Sequence, residues 1–190
     1  MKKKIDGFTL IEILVVIAIL TVIGVILTEI FFRTVRGNSK AELISRIKQN
    51  GQTALETIDK TLRSADGIVC TNADSSAILF VKSGVYTRYR YNSATSSING
   101  SLSIDYPTSG DCSAPTVNSA YLTDLGSADP KTGVSVSQTL GTSGVFIRTK
   151  QAGVKDIVAI SFDVTSPIGL PAYLKNQIDP SSFQTTVELR

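Results

Sequence analysis

The sequence predicts an α+β fold in which one long N-terminal helix packs against an antiparallel β-sheet. Three observations predict it. Residues 8–32 form a nearly unbroken apolar run, residues 43–65 repeat apolar side chains every three or four positions, and later segments alternate with a period of two. The first two patterns are typical of helices and the third is typical of strands.

The apolar run from Phe8 to Phe32 is long enough to span a membrane. Its 25 residues extend about 37 Å as a helix, and a hydrocarbon core is about 30 Å thick. The three lysines that precede the run would also suit a cleaved secretory signal peptide. The run is too long for that, and no small-x-small cleavage site follows before Arg33. We therefore expect a retained transmembrane helix.

One carboxylate, Glu12, lies near the start of this run. A charged side chain at the centre of a membrane helix costs about 2.5–3.5 kcal/mol on insertion scales, so Glu12 requires compensation. In a purely structural interpretation its side chain extends to the near interface. Glu29 lies at the far end of the run and reaches the headgroup region unaided. Glu12 is therefore the candidate functional residue of the helix.

The residues around Glu12 resemble the processing signature of type IV prepilins and pseudopilins. Gly7-Phe8-Thr9-Leu10-Ile11-Glu12 follows a short lysine-rich leader and precedes a long apolar helix. The resemblance implies cleavage between Gly7 and Phe8 by a prepilin peptidase, and N-methylation of the new Phe8 amine. It also implies that Glu12 meets the Phe8 amine of a neighbouring subunit during filament assembly. Such a pair would recover much of the desolvation cost of both charges and would fix the stagger of adjacent helices.

Two further features make the chain most similar to a minor pilin or a J-type minor pseudopilin. Many major pilins carry a helix-kinking proline near the position of Glu29, whereas the first proline here is Pro107. The segments Leu62-Arg63-Ser64-Ala65 and Phe183–Arg190 also resemble the corresponding parts of minor subunits.

The resemblance implies partners and a location as well. The partners are prepilin peptidase, other pilin or pseudopilin subunits, the inner-membrane assembly platform and membrane lipid. The protein would cross a membrane of the bacterial cell envelope once, with its head outside the cytoplasm. Charge alone leaves this orientation open, because basic residues flank both ends of the apolar run. The alternative is a membrane-anchored surface receptor or adhesin that does not assemble into a filament.

The patterns divide the chain into four segments. Residues 1–7 are a leader, residues 8–36 are the transmembrane half of the helix, residues 37–66 are its amphipathic half, and residues 67–190 are a β-rich globular head. Gly37 marks a weak point between the helix halves, because a helical glycine costs about 1 kcal/mol relative to alanine. Asp66-Gly67 is a typical helix end.

Six strands are predicted in the head, at residues 77–81, 85–91, 101–106, 145–148, 157–164 and 183–189. The polar turn at residues 92–100 makes the second and third a hairpin. Residues 107–144 are rich in Ser, Thr, Gly and Asp, which predicts a loop with room for one short strand. The apolar stripe of the amphipathic helix must rest on the resulting sheet.

Cys70 and Cys112 are the only cysteines. Because the resemblance places the head outside the cytoplasm, we interpret them as a disulfide, with two free thiols as the alternative. The bond would stabilise the head by roughly 4 kcal/mol on the loop-entropy model. Two cysteines in a chain without histidine do not suggest a metal site.

Basic and aromatic residues alternate along one strand, where Lys82, Arg88 and Arg90 interleave with three tyrosines. This pattern would suit nucleic-acid binding by charge and stacking. Residues 67–190, however, contain nine basic and nine acidic residues, so no net positive field would steer a polyanion. The favoured interpretation is a solvated strand face with tyrosines in the core or at its edge, and no nucleic-acid partner is expected.

Acidic residues gather in the loop-rich region at Asp105, Asp111, Asp124 and Asp129, where some pseudopilin heads bind calcium. Their spacing does not match a calcium-binding loop, which favours polar turn residues. The chain also lacks histidine, a glycine-framed serine elbow and a phosphate loop. We therefore predict no enzyme, catalytic residue, cofactor or metal site.

Overall fold

The computed structural model describes residues 9–126, 132–150 and 155–189. The chain divides into two compact units, Met1–Glu42 and Leu43–Arg190. The described helices are α1 (Leu10–Arg63) and α2 (Ala172–Lys175). The described strands are β1 (Gly67–Thr71), β2 (Ala77–Lys82), β3 (Val85–Asn92), β4 (Ser101–Asp105), β5 (Ala120–Tyr121), β6 (Ser135–Gln138), β7 (Phe146–Thr149), β8 (Ile157–Thr165) and β9 (Ser181–Glu188).

The first unit contains the N-terminal part of α1. Residues 9–39 are all exposed, and most of the residues between Leu10 and Phe32 are large and apolar. The predicted weak point at Gly37 is not a break, because α1 is helical on both sides of it. A single glycine costs only about 1 kcal/mol in a helix, which neighbouring residues with ordinary propensities can offset.

The first sheet of the second unit contains five antiparallel strands, in the order β1-β2-β3-β4-β5. The predicted hairpin is confirmed as the β3–β4 pair. β2 and β3 are joined by Ser83 and Gly84, whose φ angles of 50° and 78° are those of a tight two-residue hairpin turn. The sequence analysis missed β1, which begins at Gly67, directly after the predicted helix end.

A second sheet is built around β8. β9 pairs with β8 along one edge, and the two short strands β6 and β7 share its other edge. The α+β class is thus confirmed, but the head contains two sheets where the sequence suggests one. Residues 107–144 contribute two short strands, β5 and β6, instead of one. β5 has only two residues and β6 contains one apolar residue, so neither shows an apolar pattern.

The C-terminal part of α1 packs its predicted apolar stripe into the core of the head. The residues that α1 buries are Ile47, Gly51, Ala54, Ile58 and Leu62. All of these except Gly51 belong to one cluster with buried side chains from both sheets, including Phe80, Tyr89, Leu102, Phe146, Ile160, Phe162 and Val187. The helix therefore joins the two sheets through a shared core, which is the arrangement an amphipathic helix requires.

The two sheets also meet directly at Gly100. Its N–H donates to Ser135 Oγ at 3.1 Å, and its carbonyl accepts from the Val136 N–H at 2.8 Å. A Cβ at position 100 would lie 2.0 Å from the Val136 carbonyl oxygen. The approach of these two backbones therefore requires glycine at this position.

Tyr89 should make the head less stable at alkaline pH. Its side chain is 1% exposed, and burial raises its pKa above the ordinary value of 10.0. The unfolded chain therefore releases the tyrosine proton first as pH rises. Stability should be constant with respect to this group below about pH 10 and should fall above it.

The variant Tyr89→Phe should remove part of this alkaline loss. At about pH 7 its free energy of unfolding should change by less than about 1 kcal/mol, because the Tyr89 hydroxyl makes no well-formed hydrogen bond with the described residues and has only the Thr61 side chain as a polar neighbour among them. Urea unfolding between about pH 7 and about pH 11 would measure the effect, with Tyr121→Phe as an exposed control. An unchanged alkaline loss in Tyr89→Phe would contradict the prediction.

Candidate functional site

Thr9 caps the N-terminus of α1. The Glu12 N–H donates to the Thr9 carbonyl oxygen at 3.1 Å and lies 3.3 Å from Thr9 Oγ1. A threonine followed three residues later by glutamate is the spacing of a capping box, a local signal that the sequence analysis did not use. Glu12 therefore lies in the first helical turn, where the helix dipole favours a negative charge.

The helix dipole does not fully compensate Glu12. It contributes about 0.3–1 kcal/mol at an exposed position, against about 2.5–3.5 kcal/mol for a carboxylate at the centre of a membrane helix, which is an upper bound for a residue in the first turn. The Glu12 carboxylate makes no hydrogen bond or ion pair with any described residue. The remaining stabilisation must come from the near interface or from another molecule.

Glu29, the second carboxylate of the apolar segment, has a partner on its own helix. Arg33 Nη2 lies 2.5 Å from Glu29 Oε1, one helical turn away. Both side chains are well exposed, at 62% for Glu29 and 79% for Arg33. The two carboxylates therefore differ: Glu29 pairs with a cation on its own helix, whereas Glu12 has no counter-ion among the described residues.

The polar side chains between these carboxylates are also satisfied within the helix. The Thr21 hydroxyl donates to the Ile17 carbonyl at 2.7 Å, and the Thr28 hydroxyl donates to the Gly24 carbonyl at 2.8 Å. Such bonds let hydroxyl groups enter hydrocarbon without an outside partner. Within the described part of the chain, α1 is the one helix with the length and apolarity to cross a membrane.

Gly7 and Phe8 lie outside the described residues. The cleavage site between them, the methylation of the Phe8 amine and its pairing with Glu12 therefore stay predictions. The structure describes Glu12 alone, in the first turn of an exposed apolar helix.

The predicted disulfide is present. Cys70 on β1 and Cys112 are bonded, with Cα atoms 6.1 Å apart, and they are 42 positions apart in sequence. Cys112 belongs to the connection between β4 and β5, residues 106–119, which we call the strap. The bond ties the strap to the first strand of the five-stranded sheet.

Arg88 on β3 is buried beneath the strap, with 0% of its side chain exposed. Nε lies 3.0 Å from Asp105 Oδ1, and Nη2 makes a short contact with Asp105 Oδ2. Nη1 donates to the carbonyls of Cys112 at 2.7 Å and Ala114 at 2.8 Å, and Nη2 lies 3.5 Å from the Pro115 carbonyl. The five N–H groups of the guanidinium therefore face five acceptors.

This geometry corrects the interpretation of the basic and aromatic strand. Arg88 and Tyr89 are both buried, on opposite faces of the sheet, so they form no nucleic-acid patch. Arg88 does not lie on a solvated strand face either. Arg90 is half-buried and donates to Thr116 Oγ1 of the strap at 3.0 Å. Alternation predicts which face a side chain occupies, but it does not predict that a loop covers that face.

The acidic residues of the loop-rich region make separate contacts. Asp111 accepts a hydrogen bond from the Ser113 N–H at 2.9 Å, and Asp124 accepts one from the Gly126 N–H at 3.1 Å, as polar turn residues do. Asp105 instead pairs with Arg88, and Asp129 lies outside the described residues. The described residues contain no group of three or more side chains able to hold a metal ion.

Comparison with known protein families identifies the N-terminal segment. Residues 2–28 match the family model of the prokaryotic N-terminal methylation motif. The chain carries this methylation motif. The match supports the predicted type IV pilin and pseudopilin family and includes Gly7, Phe8 and Glu12. No curated protein and no solved structure matches the chain.

The methylation motif ends at residue 28, before the head begins, so the match carries no information about the head. Sequence reasoning missed Arg88 and Asp105 as a pair. The sequence offers one local indication of this pair: Arg88 and Asp105 carry opposite charges and lie on two strands that are predicted to be neighbours.

Proposed function

We propose that the protein is a structural subunit of a type IV pilus or of a type II secretion pseudopilus, and that it is a minor subunit. Prepilin peptidase would remove residues 1–7, and the exposed apolar part of α1 would pack in the core of a helical filament. The observation that carries this proposal is Glu12, an uncompensated carboxylate within the methylation motif and at the start of that helix.

The surface of α1 supports an assembly role. Residues 9–39 make no contact that buries them within their own unit, so lipid or other helices must cover their apolar side chains. A lipid environment alone leaves Glu12 without a counter-ion. A neighbouring subunit that brings a free amine to Glu12 would supply one, and a filament core would provide this repeatedly.

The absence of a helix-kinking proline before Pro107 supports the minor assignment. The head is consistent with a location outside the cytoplasm, because a disulfide and a buried ion pair hold its strap. Such cross-links suit a domain that works outside the cytoplasm.

Processing can be tested by replacing Gly7 with a bulky residue. The variant Gly7→Trp should accumulate as an uncut precursor, because the small residue before the cleaved bond is lost. Mass spectrometry of the N-terminus would show Met1 in the variant and methylated Phe8 in the wild type. An intact Met1 in mature wild-type protein would overturn the proposal and favour a membrane-anchored receptor or adhesin.

Assembly can be tested with the two carboxylates of α1. Glu12→Ala should still be inserted and cleaved, but its incorporation into filaments should fall at least tenfold, because removing one partner of a buried pair leaves the other charge unpaired. Glu29→Ala is the matched control, since Glu29 pairs with Arg33 on its own helix. The subunit content of sheared filaments would measure both, and normal assembly of Glu12→Ala would exclude the pairing.

A further inference from the structure

A row of cross-strand partners lies under the strap. Cys70 pairs with Leu79, Leu79 pairs with Arg88, and Arg88 pairs with Asp105, across the four strands β1 to β4. Directly paired residues project from the same face of a sheet. The cysteine, the arginine and the aspartate therefore share the face that the strap covers, and Cys112 completes the row from above.

Arg88 contacts the strap through main-chain carbonyls, including that of Cys112 itself. The bonds from Nη1 to the Cys112 and Ala114 carbonyls are 2.7 and 2.8 Å long. Asp105 fixes the opposite side of the planar guanidinium through both of its oxygens. The rigid fork of arginine therefore holds the backbone of Cys112 at a set position above the sheet, through contacts that do not involve sulfur.

We propose that Arg88 is a positioning residue for the oxidation of Cys70 and Cys112. Held by Asp105, it seats the strap in the reduced head, so that the disulfide forms within the folded domain. The proposal does not depend on filament assembly. It depends only on the head reaching a compartment with an external disulfide, such as glutathione disulfide or a dithiol–disulfide oxidoreductase.

The reaction is two thiol–disulfide exchanges. One cysteine loses its proton, its thiolate attacks the external disulfide, and one external thiol leaves, which gives a mixed disulfide. The second cysteine then loses its proton and attacks the protein sulfur of the mixed disulfide. The Cys70–Cys112 bond forms and the second external thiol leaves, so two electrons and two protons have passed to the oxidant.

The physical basis is the effective concentration of one thiol at the other. A strap already seated by Arg88 keeps the two cysteines together without further ordering of the chain, which favours the intramolecular exchange. Without Arg88 the strap must lose conformational freedom when the bond forms, and this entropy opposes oxidation.

The test is the equilibrium between the full-length chain in mild detergent and a series of glutathione redox buffers. The test variant is Arg88→Met with Asp105→Leu, which replaces the buried charge pair by apolar side chains. The matched control is Arg148→Met with Asp156→Leu. Arg148 pairs with Asp156 at 2.5 Å and lies 3.4 Å from the carbonyl of Val69, the residue before Cys70, but it makes no hydrogen bond or ion pair with the described residues of the strap.

We expect the effective thiol concentration to fall by roughly tenfold or more in the test variant, because two hydrogen bonds from a charged donor to the strap are lost. It should change less than about twofold in the control, where the strap contacts remain. Circular dichroism of the reduced proteins would establish that both are folded. A wild-type value in the folded test variant would overturn the proposal.

If the test variant does not fold, Arg88→Lys decides the question. Lysine keeps a positive charge beside Asp105 but cannot direct a planar fork at both Asp105 and the strap carbonyls. Its effective thiol concentration should also fall while the reduced head stays folded. A wild-type value in Arg88→Lys would equally overturn the positioning role.

Discussion

Replacing Asp105 with asparagine should lower the free energy of unfolding of the head by about 3–5 kcal/mol, because one partner of a buried ion pair is removed. Asp105 is 1% exposed, and among the described residues it is the one carboxylate paired with the guanidinium of Arg88. In the variant Arg88 would retain its charge without a counter-ion in a site that water does not reach. Urea unfolding of the full chain in mild detergent, followed by tyrosine fluorescence, would measure the loss.

Two comparisons make this prediction specific. Arg63→Met removes the cation of an exposed ion pair with Asp59 and should change the free energy of unfolding by less than about 1 kcal/mol. The double variant Arg88→Met with Asp105→Leu should cost less than the sum of the single replacements, since no buried charge remains. A loss below about 1 kcal/mol in Asp105→Asn would contradict the assigned role of the pair.

Removing the disulfide should lower the free energy of unfolding by roughly 4 kcal/mol, because the bond closes a loop whose ends are 42 positions apart and so restricts the unfolded chain. The double variant Cys70→Ser with Cys112→Ser would show the loss by urea unfolding. Reductant should destabilise the wild type by a similar amount and should not affect the variant.

The folded structure of that variant should stay close to the wild type. Arg88 still holds the carbonyls of Cys112 and Ala114, so hydrogen exchange of the strap amides should increase without reaching the rate of an unstructured loop. Equal stability of the serine variant and the oxidised wild type would show that the bond does not constrain the unfolded state.

The strands that sequence reasoning placed correctly are those with a local apolar pattern. β2, β3, β4, β7, β8 and β9 contain alternating or continuous runs of apolar residues, and each falls within a few residues of its predicted position. β1 was missed because Asp66-Gly67 also resembles a helix end. The short strands β5 and β6 owe their pairing to distant partners, which no local window contains.

The sequence by itself determined that this protein carries an N-terminal methylation motif and a long apolar run. The residues from Gly7 to Glu12 form a motif of fixed spacing along one chain, and the length of the apolar run can be compared with the thickness of a membrane. Both features can therefore be recognised without knowledge of the fold. The sequence also predicts that Glu12 needs a partner from another subunit; its carboxylate has no partner among the described residues, and the pairing between subunits stays a prediction.

Only the tertiary structure decided the roles of Arg88 and Asp105 and the division of the head into two sheets. A strand's alternation specifies the face on which a side chain lies, whereas burial depends on which distant segment covers that face. The strap returns over the sheet from residues 106–119 and turns an expected solvated arginine into a buried one. The physical reason is that packing is set by contacts between segments far apart in sequence, which local periodicity does not encode.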